Sequence, residues 1–199
     1  MVNNINIIPK SFYQGDDVVK IAKQLIGKTL VTHLDGQLCK GKIVETEAYR
    51  GWGDKACHAS EGKRTPRTET MYLAGGCAYV YLCYGIHHLF NVVTNVAGKA
   101  DAVLIRAIEP IEGMDSMVAR TNHQTKVSNG PGKLCKAMGI DMRLNKKELN
   151  SELLWIEDAK AVELKDLVIS TRVGVGYAGE DALLPWRFYL KDNDWVSKL

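Results

Sequence analysis

Asp35-Gly36 stands between two strand-like runs, TLVTHL before it and LCKGKIVETEAY after it. A two-residue turn of this composition accepts the positive φ angles of a tight hairpin, so it commits the chain to antiparallel pairing early. CAYVYLCY and HHLFNVVTNV form a second such pair, joined at Tyr84-Gly85-Ile86-His87, and DAVLIRAIEP is a further strand ending at Pro110. Upstream, Asp16 opens a helical pattern whose apolar face is Val18, Val19, Ile21, Ala22, Leu25 and Ile26, with Gly27 as its stop. Short helices follow near 112–120 and from Pro131 to Gly139. ELNSELLWIED, LVIST and RFYL close the chain, and the polar, Gly-rich stretch 50–70 reads as a long loop, a length that is often functional. The expected architecture is α+β: one compact domain over 1–199, with a curved, mostly antiparallel sheet flanked by helices.

The 199 residues suffice for one real core, and 46% hydrophobic with 25% charged residues is an ordinary globular balance. No apolar run approaches the length of a membrane span, and MVNNINIIPKSF lacks the apolar segment of a signal peptide. Five cysteines without a CxxC pair fit neither a disulfide framework nor a structural zinc site, so a reducing cytoplasm is expected. The terminal Ser197-Lys198-Leu199 matches a peroxisomal address, a three-residue pattern that chance also produces. Net charge is only +3, but residues 117–147 carry seven Lys/Arg against Asp141 alone, and 148–169 carry six acids against two lysines. That asymmetry suits a basic face toward phosphates; two oppositely charged solvated faces would give it as well.

Residues 174–179, GVGYAG, spell a dinucleotide-binding motif without its context. Too little chain follows for a crossover helix, and Pro185-Trp186 interrupts it. The glycines are expected to serve a tight loop, with phosphate contact as the other use.

The chemistry concentrates in IVETEAYRGWGDKACHAS, from residue 43. On a strand Glu45, Glu47 and Tyr49 share one face, which either meets water or lines a site. Glu45 and Glu47 would lie about 7 Å apart on that face, neighbours beside a substrate rather than a glycosidase pair across one. One catalytic glutamate, with the other structural or partly solvated, is the reading adopted. Tyr49, Tyr79, Tyr81, Tyr84 and His58 crowd the same third of the chain, and aromatic faces are the usual platform for a nucleobase. Tyr79 and Tyr81 would also be accounted for by a half-buried strand. Tyr84, beside Gly85 at a hairpin tip, is placed to insert into a base stack. Arg64, Thr65 and Arg67 around Pro66 can hold phosphates.

The blocks IVETEAY, ACHAS, RTPR, YVYLCYG, FNVV, VLIRAIEP, SNGPGKLC, RVGVGYAGE and PWRFYL, in order from residue 43 to 190, resemble those of the alkyladenine (3-methyladenine) DNA glycosylase family, in a short bacterial form. The resemblance implies an enzyme that flips a damaged purine out of duplex DNA and hydrolyses its N-glycosidic bond. By it, Glu47 is the general base that activates water, and Arg106 helps to hold the water and the nucleotide. Tyr49, His58 and Tyr81 sandwich the base, and the backbone at Ala56 to His58 reads its edge. Asn91 discriminates against the 2-amino group of guanine. Electron-rich rings would favour cationic alkylated purines, each stack adding about 1–3 kcal/mol. Tyr84 is the wedge of a hairpin protruding into DNA, with Gly85, Ile86 and His87 beside it and Lys133 on phosphate. The expected partner is double-stranded DNA bearing a damaged purine. A monomer is expected, with no cofactor, no metal and no membrane. A non-catalytic damaged-DNA or RNA-binding domain on the same fold is the alternative reading.

Overall fold

The computed structural model describes residues 6–197, so the opening MVNNI and the last two residues of the Ser197-Lys198-Leu199 pattern lie outside the described residues. Eight strands form one sheet. They are β1 (Thr29–Leu34), β2 (Gln37–Tyr49), β3 (Ala78–Cys83), β4 (His87–Thr94), β5 (Asp101–Glu112), β6 (Leu154–Glu157), β7 (Leu167–Ser170) and β8 (Arg187–Leu190). Every pairing between them is antiparallel, in the order β3-β4-β5-β2-β1-β6, with β8 joining β2 and β7. The α+β expectation therefore holds. The Asp35-Gly36 hairpin holds too, with both residues at positive φ, 52° and 75°.

The thirteen-residue β2 organises the sheet. Its first half pairs with β1, its second half with β8 on that same edge, and β5 runs along the other. A strand so enclosed is buried on both faces, and every residue from Ile43 to Ala48 is buried. On one face the helix α2 (Val18–Leu25) packs, fixed by Thr46 Oγ1 donating to Ala22 O at 2.9 Å. Its N-cap is Asp17, whose carboxylate accepts from Lys20 N–H, one residue later than the sequence pattern suggests. Asp17, not Asp16, is the one that can reach an amide three residues on.

The β2–β5 register breaks three times, skipping Val44 on β2 and both Arg106 and Ile111 on β5. Such bulges leave a residue unpaired and re-aim its side chain. Strand β5 also continues past the expected stop at Pro110 to Glu112, with Pro110 placed opposite Gly41 beside the shift between Lys40 and Gly41. A proline, lacking an N–H, is tolerated at such an irregularity. The helices α3 (Met114–Thr121) and α4 (Pro131–Met138) follow. They close the core with Met117, Leu134, Cys135 and Met138, all buried. A four-residue helix, α1 (Lys10–Tyr13), precedes α2 and buries Tyr13. No helix among the described residues is long and apolar enough to cross a membrane.

The chain leaves β2 at Gly51, the entry to the long loop. A Cβ there would lie 2.8 Å from the carbonyl oxygen of Ala100 and 2.9 Å from its Cβ. Gly51→Ala is therefore expected to lower stability by about 1–3 kcal/mol through displacement of the loop. Urea denaturation measures this, and an unchanged midpoint would show that the close approach is not needed.

Candidate active site

The second face of β2 carries Glu45 and Glu47, and the bulge at Arg106 delivers a guanidinium between them. Arg106 Nε donates to Glu45 Oε1 at 3.0 Å, and its terminal nitrogen donates to Glu47 Oε2 at 3.2 Å. Glu45 also accepts from Arg187 Nε at 2.7 Å and from the Ser197 backbone N–H at 2.7 Å. It is completely buried, so of the two expectations for Glu45, structural or partly solvated, the geometry fits the first: it is the counter-charge of two arginines.

Glu47 is likewise 0% exposed. Its Oε1 accepts from Val173 N–H at 2.7 Å, and its Oε2 accepts from the Tyr49 hydroxyl at 2.7 Å as well as from Arg106. Burial, then the Glu47 charge, pushes the Tyr49 phenol well above its ordinary range, so Tyr49 stays a donor. The Arg172 guanidinium lies 4.9 Å from the Tyr49 ring centre. Arg172 forms a two-pronged pair with Asp54, at 2.6 and 2.7 Å, and also donates to the carbonyls of Ala48 and Asp181. One side chain thus ties β2, the long loop and the C-terminal turn together.

In front of this network opens a cavity of about 650 Å³, within the usual range for a small-molecule or nucleobase site. Tyr49, Ala56, His58, Tyr81, Asn91 and Arg106 all line it, as the sequence analysis expects. Glu47 lies behind the wall where Tyr49, Arg106 and Val173 meet. The alternation of β3 brings Tyr79 and Tyr81 to the same side, and Tyr79 pairs with Asn91, whose Nδ2 donates to Tyr79 O at 3.2 Å.

The rings interlock. His58 meets Tyr81 edge to face at 4.7 Å, and its Nδ1 is 3.1 Å from the Tyr79 hydroxyl. Its Nε2 is 3.3 Å from an Arg67 nitrogen. Arginine only donates, so Nε2 must be the acceptor and Nδ1 carries the hydrogen toward Tyr79. Burial, then the charges of Arg67 and Lys63, lowers the His58 pKa to about 4.

The remaining positions divide. Arg67 is exposed and lines the cavity, with its guanidinium 4.5 Å from the Tyr81 ring centre. Arg64 turns away to Glu69, at 2.8 and 2.6 Å, and Thr65 exchanges hydrogen bonds with Thr68 within its turn. The β3–β4 hairpin projects as expected: Tyr84 is 91% exposed and Ile86 72%. Tyr84 and Gly85 both adopt positive φ, which makes the tip tight. His87 packs beside the start of α4, where a Cβ on Gly132 would come 3.1 Å from its side chain. Lys133 is one residue further, donating to Asn129. His88 is paired opposite Leu82, and among the described residues no cluster of metal-ligating side chains occurs.

The GVGYAG turn also belongs to the site. Val173, Gly174, Val175 and Tyr177 line the cavity, and the Tyr177 hydroxyl donates to Ala56 O at 3.0 Å. Sequence reasoning missed Arg172, Asp54 and Tyr177, as well as the Val173 amide. The signal available was an arginine at the mouth of a glycine-rich loop, but its carboxylate partner lies 118 positions away in sequence.

A concave aromatic pocket, an exposed tyrosine at its lip and a buried carboxylate behind it thus lie together in one place. Comparison with known proteins gives the class of the protein. The profile of the methylpurine-DNA glycosylase (MPG) family matches residues 11–194. A Chlamydia abortus protein is 48% identical over 92% of this chain and 98% of its own length. Proteins of Desulfitobacterium hafniense and Clostridium acetobutylicum are 46% and 47% identical, over 94% and 96% of this chain and 97% of their own length in each case. All three carry the name "Putative 3-methyladenine DNA glycosylase". The chain belongs to the methylpurine-DNA glycosylase family, enzymes that hydrolyse N-glycosyl bonds.

His58 is expected to titrate near pH 4 in the folded protein, followed by its imidazole NMR resonances. Because this lies below the ordinary value of 6.5, the unfolded chain binds the proton first, and stability falls as pH drops from about 6.5 toward 4. Titration near 6.5 would contradict the burial and the cationic surroundings assigned to the ring.

Proposed function

We propose that this chain is a monofunctional DNA glycosylase. In this reading it flips damaged purines such as 3-methyladenine, 7-methylguanine, hypoxanthine and ethenoadenine out of duplex DNA and hydrolyses the N-glycosidic bond with a water activated by Glu47. The observation that carries it is the placement of Glu47 directly behind an aromatic cavity sized for one base. A carboxylate offers about four lone-pair directions, and three are taken here, by Val173 N–H, Tyr49 Oη and Arg106. The fourth is left for a water at the junction of Tyr49, Arg106 and Val173. That water attacks the anomeric carbon, the base departs with the bonding electrons, and Glu47 takes the proton while its charge stabilises the oxocarbenium-like transition state.

Tyr49 and Tyr81 supply the stacking faces and Asn91 the edge that excludes a 2-amino group. Tyr84 fills the gap in the duplex, with Gly85, Ile86 and His87 in the same groove. Lys133, Arg64 and Thr65 lie on exposed segments where phosphates can be met. The hydrolysis needs no cofactor. The alternative, a non-catalytic damaged-DNA or RNA-binding domain, draws on the complete covering of Glu47 in the free protein.

Incubation with duplexes carrying hypoxanthine or ethenoadenine, then alkali and a gel, tests the reading. Abasic product is expected, with no strand scission before alkali; scission without alkali would instead implicate Lys55 or Lys63 of the cavity wall in a Schiff base. Glu47→Gln should slow excision by about 10²–10⁴-fold while retaining affinity for an abasic-site analogue. A wild-type rate in that variant would leave only the binding reading. Tyr84→Ala should weaken lesion binding by about ten-fold or more, as loss of one stack predicts. Unchanged affinity would remove the tip from the flipping step.

A further inference from the structure

Arg106 stands on a bulge, so no ladder partner on β2 fixes where its side chain goes. It also borders the cavity, which leaves its guanidinium beside open space. Two of its contacts run to the glutamates, from Nε to Glu45 and from Nη1 to Glu47. Two contacts fix an axis and leave the flat group free to turn about it. A third fixes the plane, because the donors of a guanidinium lie in one rigid fork. Ser197 supplies the third: Arg106 Nη2 donates to its Oγ at 3.4 Å. The same residue grips Glu45, its backbone N–H donating to Oε2 at 2.7 Å, while Oε1 takes the Nε groups of Arg106 and Arg187.

Ser197 is brought there by a tail tied down outside the site. After β8, Asn193 Nδ2 donates to Glu109 Oε2 at 3.0 Å, and its Oδ1 accepts from Trp195 N–H at 2.9 Å. Glu109 lies on β5, the strand that carries Arg106, so the tail is registered against the guanidinium it meets. Lys126 donates to the Asp194 carbonyl, Trp195 packs against the core and Val196 is buried. Ser197 is not part of the cavity wall.

We propose that Ser197 is a positioning residue for the hydrolysis, whose hydroxyl and backbone amide hold the Arg106 guanidinium in the plane that presents Nη1 to Glu47. The inference rests on the glycosylase reading, in which Arg106 and Glu47 together hold the attacking water. Ser197 acts only through these buried charges and leaves the base pocket untouched.

The experiment compares the full wild-type chain with Ser197→Ala, Ser197→Thr and Ser197→Pro on duplexes carrying hypoxanthine. Ser197→Ala removes the hydroxyl and should lower the single-turnover rate at saturating enzyme by about three- to ten-fold, the size of one hydrogen bond. Ser197→Thr keeps hydroxyl and amide and should restore the rate. Ser197→Pro takes the amide from a buried carboxylate and should lower the rate by about ten-fold or more; if it fails to fold, Ser197→Ala decides alone. Affinity of Ser197→Ala for an abasic-site analogue should stay within about two-fold of wild type, since only the reacting arrangement is disturbed. The Arg106 Nη protons, assigned by their loss in Arg106→Lys, should give resolved NMR signals in the wild type that merge by rotation in Ser197→Ala. A wild-type rate in Ser197→Ala overturns the proposal. So does a rate that falls in step with affinity and thermal midpoint without rescue by threonine, which marks a structural role only. If the wild type releases no base, the glycosylase reading fails by itself, and the Arg106 signals still report whether Ser197 holds the guanidinium. Signals unchanged in Ser197→Ala overturn that hold in either case.

Discussion

The site depends on one buried contact, the Arg106 guanidinium held between Glu45 and Glu47. Two carboxylates on one strand face, both withdrawn from water, repel each other and lose hydration. They are kept there by a cation between them, a second arginine on Glu45, and backbone amides from Val173 and Ser197. Breaking such a set by removing one partner typically costs about 3–5 kcal/mol, because the remaining charge stays buried. The network therefore works as a unit. It requires the bulge at Arg106 on β5, the pairing of β8 with β2, and the return of the C-terminal turn to the sheet.

Arg172 extends the same logic outward. Its pair with Asp54 pins the loop that carries Ala56 and His58, and the next residue, Val173, offers its amide to Glu47. The loop between β2 and β3 is held by this charge pairing together with the apolar packing of Ala56, Cys57, Ala59 and Met71. The position of the pocket's front wall relative to the carboxylate behind it follows from that arrangement. A cavity shaped this way is already formed in the free chain, which lessens the ordering cost of receiving a base.

Much of this was legible along the chain. The hairpin at Asp35-Gly36, the α2 pattern, Pro131 and Gly139 as helix limits, and the shared face of Glu45, Glu47 and Tyr49 are local matters of turn chemistry and periodicity, and the structure agrees with them. The aromatic residues of the pocket were legible from their crowding and from the family's blocks. The failures share a cause. Asp17 replaces Asp16 as the cap by one residue of geometry. Pro110 is accommodated inside β5 by an irregular register. The glycine-rich turn, set aside as a loop, forms a wall of the cavity because strands distant in sequence bring it there. The contact of Arg67 with the Tyr81 ring, like the pairing of Arg64 with Glu69, was likewise not legible along the chain.

The sequence by itself determined the antiparallel class of the fold, the face on which the reactive side chains stand and the family to which they belong. These rest on short-range rules: a two-residue turn, a period of two, and ordered blocks of residues. Only the tertiary structure decided that Glu45 is a buried counter-charge rather than a solvated one, that Arg172 and Asp54 belong to the site, and that Ser197 returns to its buried charges. Burial and ion pairing depend on which distant segments meet. No periodicity along the chain encodes a contact such as Arg172 with Asp54.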